Sequence, residues 1–156
     1  MKSFFKTMLC LVSASVVIFV MSACGAKTAG PAPEVAIDLG SSSLYTQEEL
    51  KDAILLIKDK FATFTGCELH SIRYAGDDAN NEENLEWLNF LHAVRSNIPP
   101  EDVGKQYVQV AEFLSNFHSP VEEGDYAWNQ DMEYTDYQWW LGRLDDGRWE
   151  IVSWGY

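Results

Sequence analysis

Three histidines, His70, His92 and His118, are the side chains best suited to exchange protons near neutral pH. None has a second histidine at the spacing of a helical zinc motif, and the sequence contains no Cys-x-x-Cys. His118 stands at the predicted end of a strand, between Phe117 and Ser119-Pro120, with Asp131 and Asp136 following. A histidine within hydrogen-bond reach of either carboxylate would form an acid/base pair. The plainer reading is a histidine hydrogen-bonded at a strand end. Asp78, Asn80 and Glu82 alternate like the start of a calcium loop, but Glu83 stands where its glycine belongs and Asn89 where its closing glutamate belongs. Phosphate loops, dinucleotide fingerprints and Gly-x-Ser-x-Gly are absent from the sequence, so neither a cofactor nor a metal is expected.

Aromatic residues carry the stronger signal. Tyr126, Trp128, Tyr134, Tyr137, Trp139, Trp140, Trp149, Trp154 and Tyr156 crowd the last 31 residues. Successive side chains of a strand point to opposite faces, so Trp139 and Trp140 cannot both face one core. By the same alternation Trp149 and Trp154 fall on opposite faces. Most of these rings are expected to fill the core and pair across strands. Trp128, placed in a loop, and Trp140 are the exceptions, free to stack on a ligand with His118 and Asp136 nearby. Trp154 is expected in the core.

These residues need elements to hold them. Thr46 and Glu49 form a capping box, Tyr45 and Leu50 a hydrophobic staple, and Leu50, Ala53, Ile54, Ile57, Phe61 and Phe64 one helical stripe ending at Thr65-Gly66. Residues 67–74 read as a strand whose apolar phase slips between Leu69 and Ile72, the mark of a bulge. Leu85, Leu88 and Leu91 predict a short second helix, and Tyr107–Leu114 a second strand. The segments 137–144 and 149–156 form a hairpin about an Asp-Gly turn. This order predicts an α+β domain: a long N-terminal amphipathic helix and a short second helix, on one face of an antiparallel sheet of about four strands.

The N-terminus supplies an address. Lys2 and Lys6 precede an apolar run from Met8 to Met21, too short to cross a bilayer as a helix and suited to a signal peptide. It ends in Met21-Ser22-Ala23-Cys24-Gly25, which resembles the bacterial lipobox, although Met21 stands where leucine is usual. Residues 1–23 are therefore expected to be a signal peptide and Cys24 the site of lipid attachment, holding the chain at the outer face of the cell membrane. An ordinary signal cut near Ala23 is the alternative. Residues 24–44, rich in Pro, Gly and Ser, read as a flexible tether, and residues 45–156 as one domain. Only Cys67 is left in that domain, so no internal disulfide is available, and it reads as a small buried residue. Loss of residues 1–23 removes two lysines and no acid, moving the net charge from −13 to −15. Such a surface argues against nucleic acid and against anionic headgroups as partners.

Residues 117–120, Ala127-Trp128-Asn129, the stretch from Glu133 to Trp140 and the terminal Trp154-Gly155-Tyr156 resemble small uncharacterised lipoproteins of Gram-positive gut bacteria. That resemblance implies the lipid anchor and the tether and brings no activity with it. The first helix and the final Asp146-Gly147-Arg148-Trp149-Glu150-Ile151-Val152 resemble, more distantly, cone-shaped folds of the nuclear-transport-factor-2-like and cystatin-like kinds. This second likeness implies a curved sheet wrapped around a helix, and it assigns no function. The resulting expectation is a non-catalytic domain that binds a small ligand or an envelope protein. Its rivals are a small cone-fold enzyme using a His/Asp pair and an immunity-type or inhibitory module. Cys24→Ala is expected to abolish lipid labelling and to release the protein from the membrane fraction or block its maturation. Unchanged labelling and fractionation would refute the lipobox assignment.

Overall fold

The computed structural model describes residues 34–122 and 128–156. The expected signal peptide, Cys24 and the first part of the tether lie outside the described residues, as does Tyr126. The elements are β1 (Ala36–Asp38), α1 (Gln47–Phe61), β2 (Glu68–Tyr74), α2 (Glu82–Val94), β3 (Tyr107–His118), β4 (Glu133–Leu144) and β5 (Trp149–Gly155). The strands form a five-stranded sheet in chain order. β1 runs parallel to β2, and all later neighbours are antiparallel.

This corrects the expected architecture. The sheet is mixed and has five strands, not about four antiparallel ones. The domain does not open on a long helix: a strand comes first, and α1 begins at Gln47 and runs 15 residues. α2 is nearly as long at 13 residues. The helices also do not share a face. Trp139 packs in the cluster that includes Leu50, Ile54 and Ile57 of α1, whereas Trp140 packs with Leu85 and Leu88 of α2. Adjacent strand residues point to opposite sides, so α1 covers one face of the sheet and α2 the other.

The extra strand comes from residues assigned to the tether. Ala36, Ile37 and Asp38 pair with Ser71, Ile72 and Arg73 through the backbone while their own side chains stay exposed. The chain then turns back onto Asp77. Its carboxylate accepts from the Ser42 hydroxyl, from Ser43 N at 2.8 Å and Ser43 Oγ at 2.7 Å, and from the Tyr74 hydroxyl at 2.9 Å. The serines are thus a clamp, and residues 34–44 belong to the folded unit.

α1 starts as its sequence dictates, with Thr46 Oγ1 accepting from Glu49 N and Thr46 N donating to Glu49 Oε2 at 2.8 Å. It ends at Phe61, earlier than Gly66, and the chain unwinds through turns that still lay Phe64 against Trp139, rings 5.7 Å apart. Trp139 is fully buried, and its Nε1 donates to Ser115 Oγ at 2.9 Å, so the large ring leaves no unmet polar group.

Bulges decide which faces the aromatics reach. Along β2 the pairing skips His70, where the apolar phase slips. Between β4 and β5, Trp140 faces Ser153 and Leu141 faces Ile151, which leaves Val152 as the extra residue. That insertion shifts the alternation, so Trp149 and Trp154 both lie on the α1 side. Trp149 packs edge-on against Tyr45 at 5.3 Å, and Lys60 of α1 sits 4.2 Å from the Trp154 ring. Trp154 itself, on the edge strand, remains 42% exposed and is not a core residue.

Trp139→Ala is expected to cost about 3–5 kcal/mol, the usual loss for a buried tryptophan. Trp154→Ala should fall near the small effects of surface substitutions. Urea denaturation of the two variants tests this, and equal losses would contradict the assignment of faces. A second expectation concerns pH. Donation by Ser42, then by Ser43 and Tyr74, holds the Asp77 carboxyl well below the usual carboxylate range. A depressed carboxyl stabilises the fold above its unfolded pKa of about 3.9, and that contribution is lost as pH falls towards the lower folded value. Asp77→Asn should therefore flatten the decline in stability below about pH 4. Parallel declines in variant and wild type would show that the clamp contributes nothing there.

Candidate functional site

The expected pairing of His118 with Asp136 does not form. Asp136 belongs to a β3–β4 bulge, where Thr135 and Asp136 together oppose Asn116 between the Ser115–Tyr137 and Phe117–Tyr134 pairs. It adopts φ 54°, a left-handed conformation that Asp tolerates better than most residues. Its N–H donates to Asn116 Oδ1, and its carboxylate accepts from Arg73 Nη2, both at 2.9 Å. Its role is to shape the strand. His118 instead approaches Asp131, Nε2 to Oδ1 3.4 Å, with His118 half-buried and Asp131 exposed. That separation is long for a proton-transfer pair, and an exposed ion pair contributes little. His70, displaced by its own bulge, bonds Glu133 Oε1 at 3.0 Å.

Trp128 is not a free ring. It is half-buried and packs among Phe64, Phe117, Tyr134 and Tyr137 with centroids 5.0–5.6 Å apart. It therefore completes the α1-side core. The calcium-like run is likewise structural: Asn80 Oδ1 accepts from Val110 N, and Asn81 caps α2 by accepting from Asn84 N. Among the described residues, no three His, Cys, Asp or Glu side chains converge to hold a metal. Cys67 is a half-buried thiol whose pKa burial raises, which makes it a poor nucleophile.

Trp140 keeps its place on a second face. Its ring meets Trp87 of α2 edge-on at 5.3 Å, and its Nε1 donates to Gln138 Oε1 at 3.3 Å. Trp87, Phe90 and Val94 follow one another at helical spacing and are exposed, Phe90 by 63% and Val94 by 60%. Leu88 and His92 meanwhile carry the buried side of α2. Glu82, Glu83 and Glu86 extend the same helix surface with acid. Beyond α2 the sheet face continues through Glu112, which faces Trp140, and Leu114, which faces both Gln138 and Arg73. Burial pushes the Glu112 carboxyl above its usual value, and the Arg73 guanidinium opposes that shift. The result is a broad acidic face with aromatic rings in it.

A polar network beneath α2 escapes sequence reading. Tyr107 lies over Gly142, where an added Cβ would come within 2.4 Å of its ring, so only glycine admits it. The Tyr107 hydroxyl reaches Glu150 Oε2 at 2.7 Å and His92 Nδ1 at 3.0 Å. Arg95 Nη2 donates to the same Glu150 oxygen at 3.0 Å. The signals were a glycine inside a strand and a histidine one turn after Leu88 on the helix's apolar side. Neither names its partners.

These interactions come from four separate parts of the chain, and no precedent helps to interpret them: no family model, curated protein or solved structure matches this sequence.

Proposed function

We propose that the chain is a lipid-anchored extracytoplasmic lipoprotein whose domain is a non-catalytic binding module. Its partner is another protein of the envelope, one that presents a basic surface. The observation that carries this reading is the exposed row of Trp87, Phe90 and Val94 on α2, continued by Trp140 and edged by Glu82, Glu83 and Glu86. Aromatic rings that retain solvent exposure on a rigid helix supply the kind of anchor on which protein interfaces depend. The acids around them would favour a cationic partner and speed its approach. The signal-like N-terminus supports the location, and the net charge, −13 for the whole chain and −15 once residues 1–23 are lost, points to a basic partner. An enzyme reading has less to draw on, since His118 and the exposed Asp131 have no short hydrogen bond between them.

Phe90→Glu combined with Val94→Glu should leave stability within about 0.5 kcal/mol, as expected for surface positions. The double variant should lose the protein that the wild type retains when crosslinked in its native envelope. That complex should also weaken as salt is raised. Retention of the same partner by the double variant would rule out this face as the binding surface.

A further inference from the structure

A cavity of about 270 Å³ opens on another side of α2, between that helix and the segment leading into β3. Ala93, Ile98 and Val103 give it apolar walls, and His92 lines it. The imidazole is 3% exposed, and its Nε2 has no hydrogen-bond partner among the described residues. A buried acceptor left unmet is costly, so an orphan of this kind calls for an explanation.

The network fixes what Nε2 can do. Glu150, paired with Arg95, accepts from the Tyr107 hydroxyl. Burial, and then Glu150 itself, raise the Tyr107 pKa, so the phenol keeps its proton and directs it to that carboxylate. The phenolic oxygen is then left to accept from His92 Nδ1, 3.0 Å away. A neutral imidazole carries one proton, so placing it on Nδ1 leaves a bare lone pair on Nε2. Two of the other polar side chains at the cavity are already occupied, and Gln106 is the third. The Asn89 amide exchanges two hydrogen bonds with the Tyr107 backbone, and the Lys105 ammonium is held by Asp102 and Asp146.

We propose that this cavity is a binding site for a small uncharged molecule with one O–H or N–H donor on an apolar body, and that His92 Nε2 is its acceptor. The volume suits a single ring, since an apolar cavity of about 150 Å³ already takes benzene. The site is separate from the aromatic face and does not depend on it.

Phenol and toluene probe it, being alike in shape and differing in the donor. In the full chain with 15N-labelled histidine, phenol should bind saturably and move the His92 Nε2 resonance. Toluene should bind about tenfold more weakly, roughly the worth of one net hydrogen bond. His92→Phe, which keeps a ring against Tyr107, should erase the preference between the two probes. The 15N pattern of the unliganded chain should show the proton on Nδ1, a result independent of how the variant folds. Equal affinity for the two probes, no saturable binding of phenol, or a proton on Nε2 would each overturn the proposal.

Discussion

Strands β3 and β4 carry large apolar side chains on both of their faces, and that constraint organises the rest of the molecule. β3 buries Phe113 and Phe117 towards α1 and Tyr107 and Val110 towards α2, while β4 divides Trp139 from Trp140. A ribbon apolar on two sides has to be covered twice. One helix cannot do that, so the chain inserts α2 between β2 and β3 and sends it to the opposite side of the sheet. α2 is shorter than β3 and β4 require. Glu112 and Leu114, further along the same face, are left half-buried.

The parts legible in the sequence were those decided locally. The capping box at Thr46, the Asp-Gly hairpin and the slipped phase around His70 each depend on residues close in the chain, and each is seen. β1 was hidden because its side chains bury nothing and its pairing is made by backbone alone. The side of the sheet chosen by α2 depends on a core its own sequence does not contain. Trp128 and Trp154 were read the wrong way round for two different reasons. A loop position gave no warning of the aromatic cluster that receives Trp128, and strict alternation could not foresee Val152. Asp136 looked like a functional acid because a bulge residue has no signature of its own.

α2 is asked to do more than one thing. Leu88 and His92 seal the sheet, Trp87, Phe90 and Val94 remain outside, and Asn89 and Ala93 border the cavity. A helix of 13 residues has room for all three roles only because each occupies a separate strip of its circumference.

The bulges have a consequence for how this sequence tolerates change in length. Each one resets the odd–even frame in which the strand is read, so the faces of the sheet are encoded in consecutive reading phases. Deleting Asp136 or Val152 would remove a residue that the pairing skips, and the backbone ladder could close more regularly than before. Every side chain beyond the deletion would keep its partner, and therefore its side of the sheet. At Val152 that would leave Trp154 opposite Trp139 on the α1 side, and at Asp136 it would leave Tyr134 opposite Phe117. For these strands a shortening at a bulge spares the core, whereas loss of a regularly paired residue would turn every side chain beyond it to the other face.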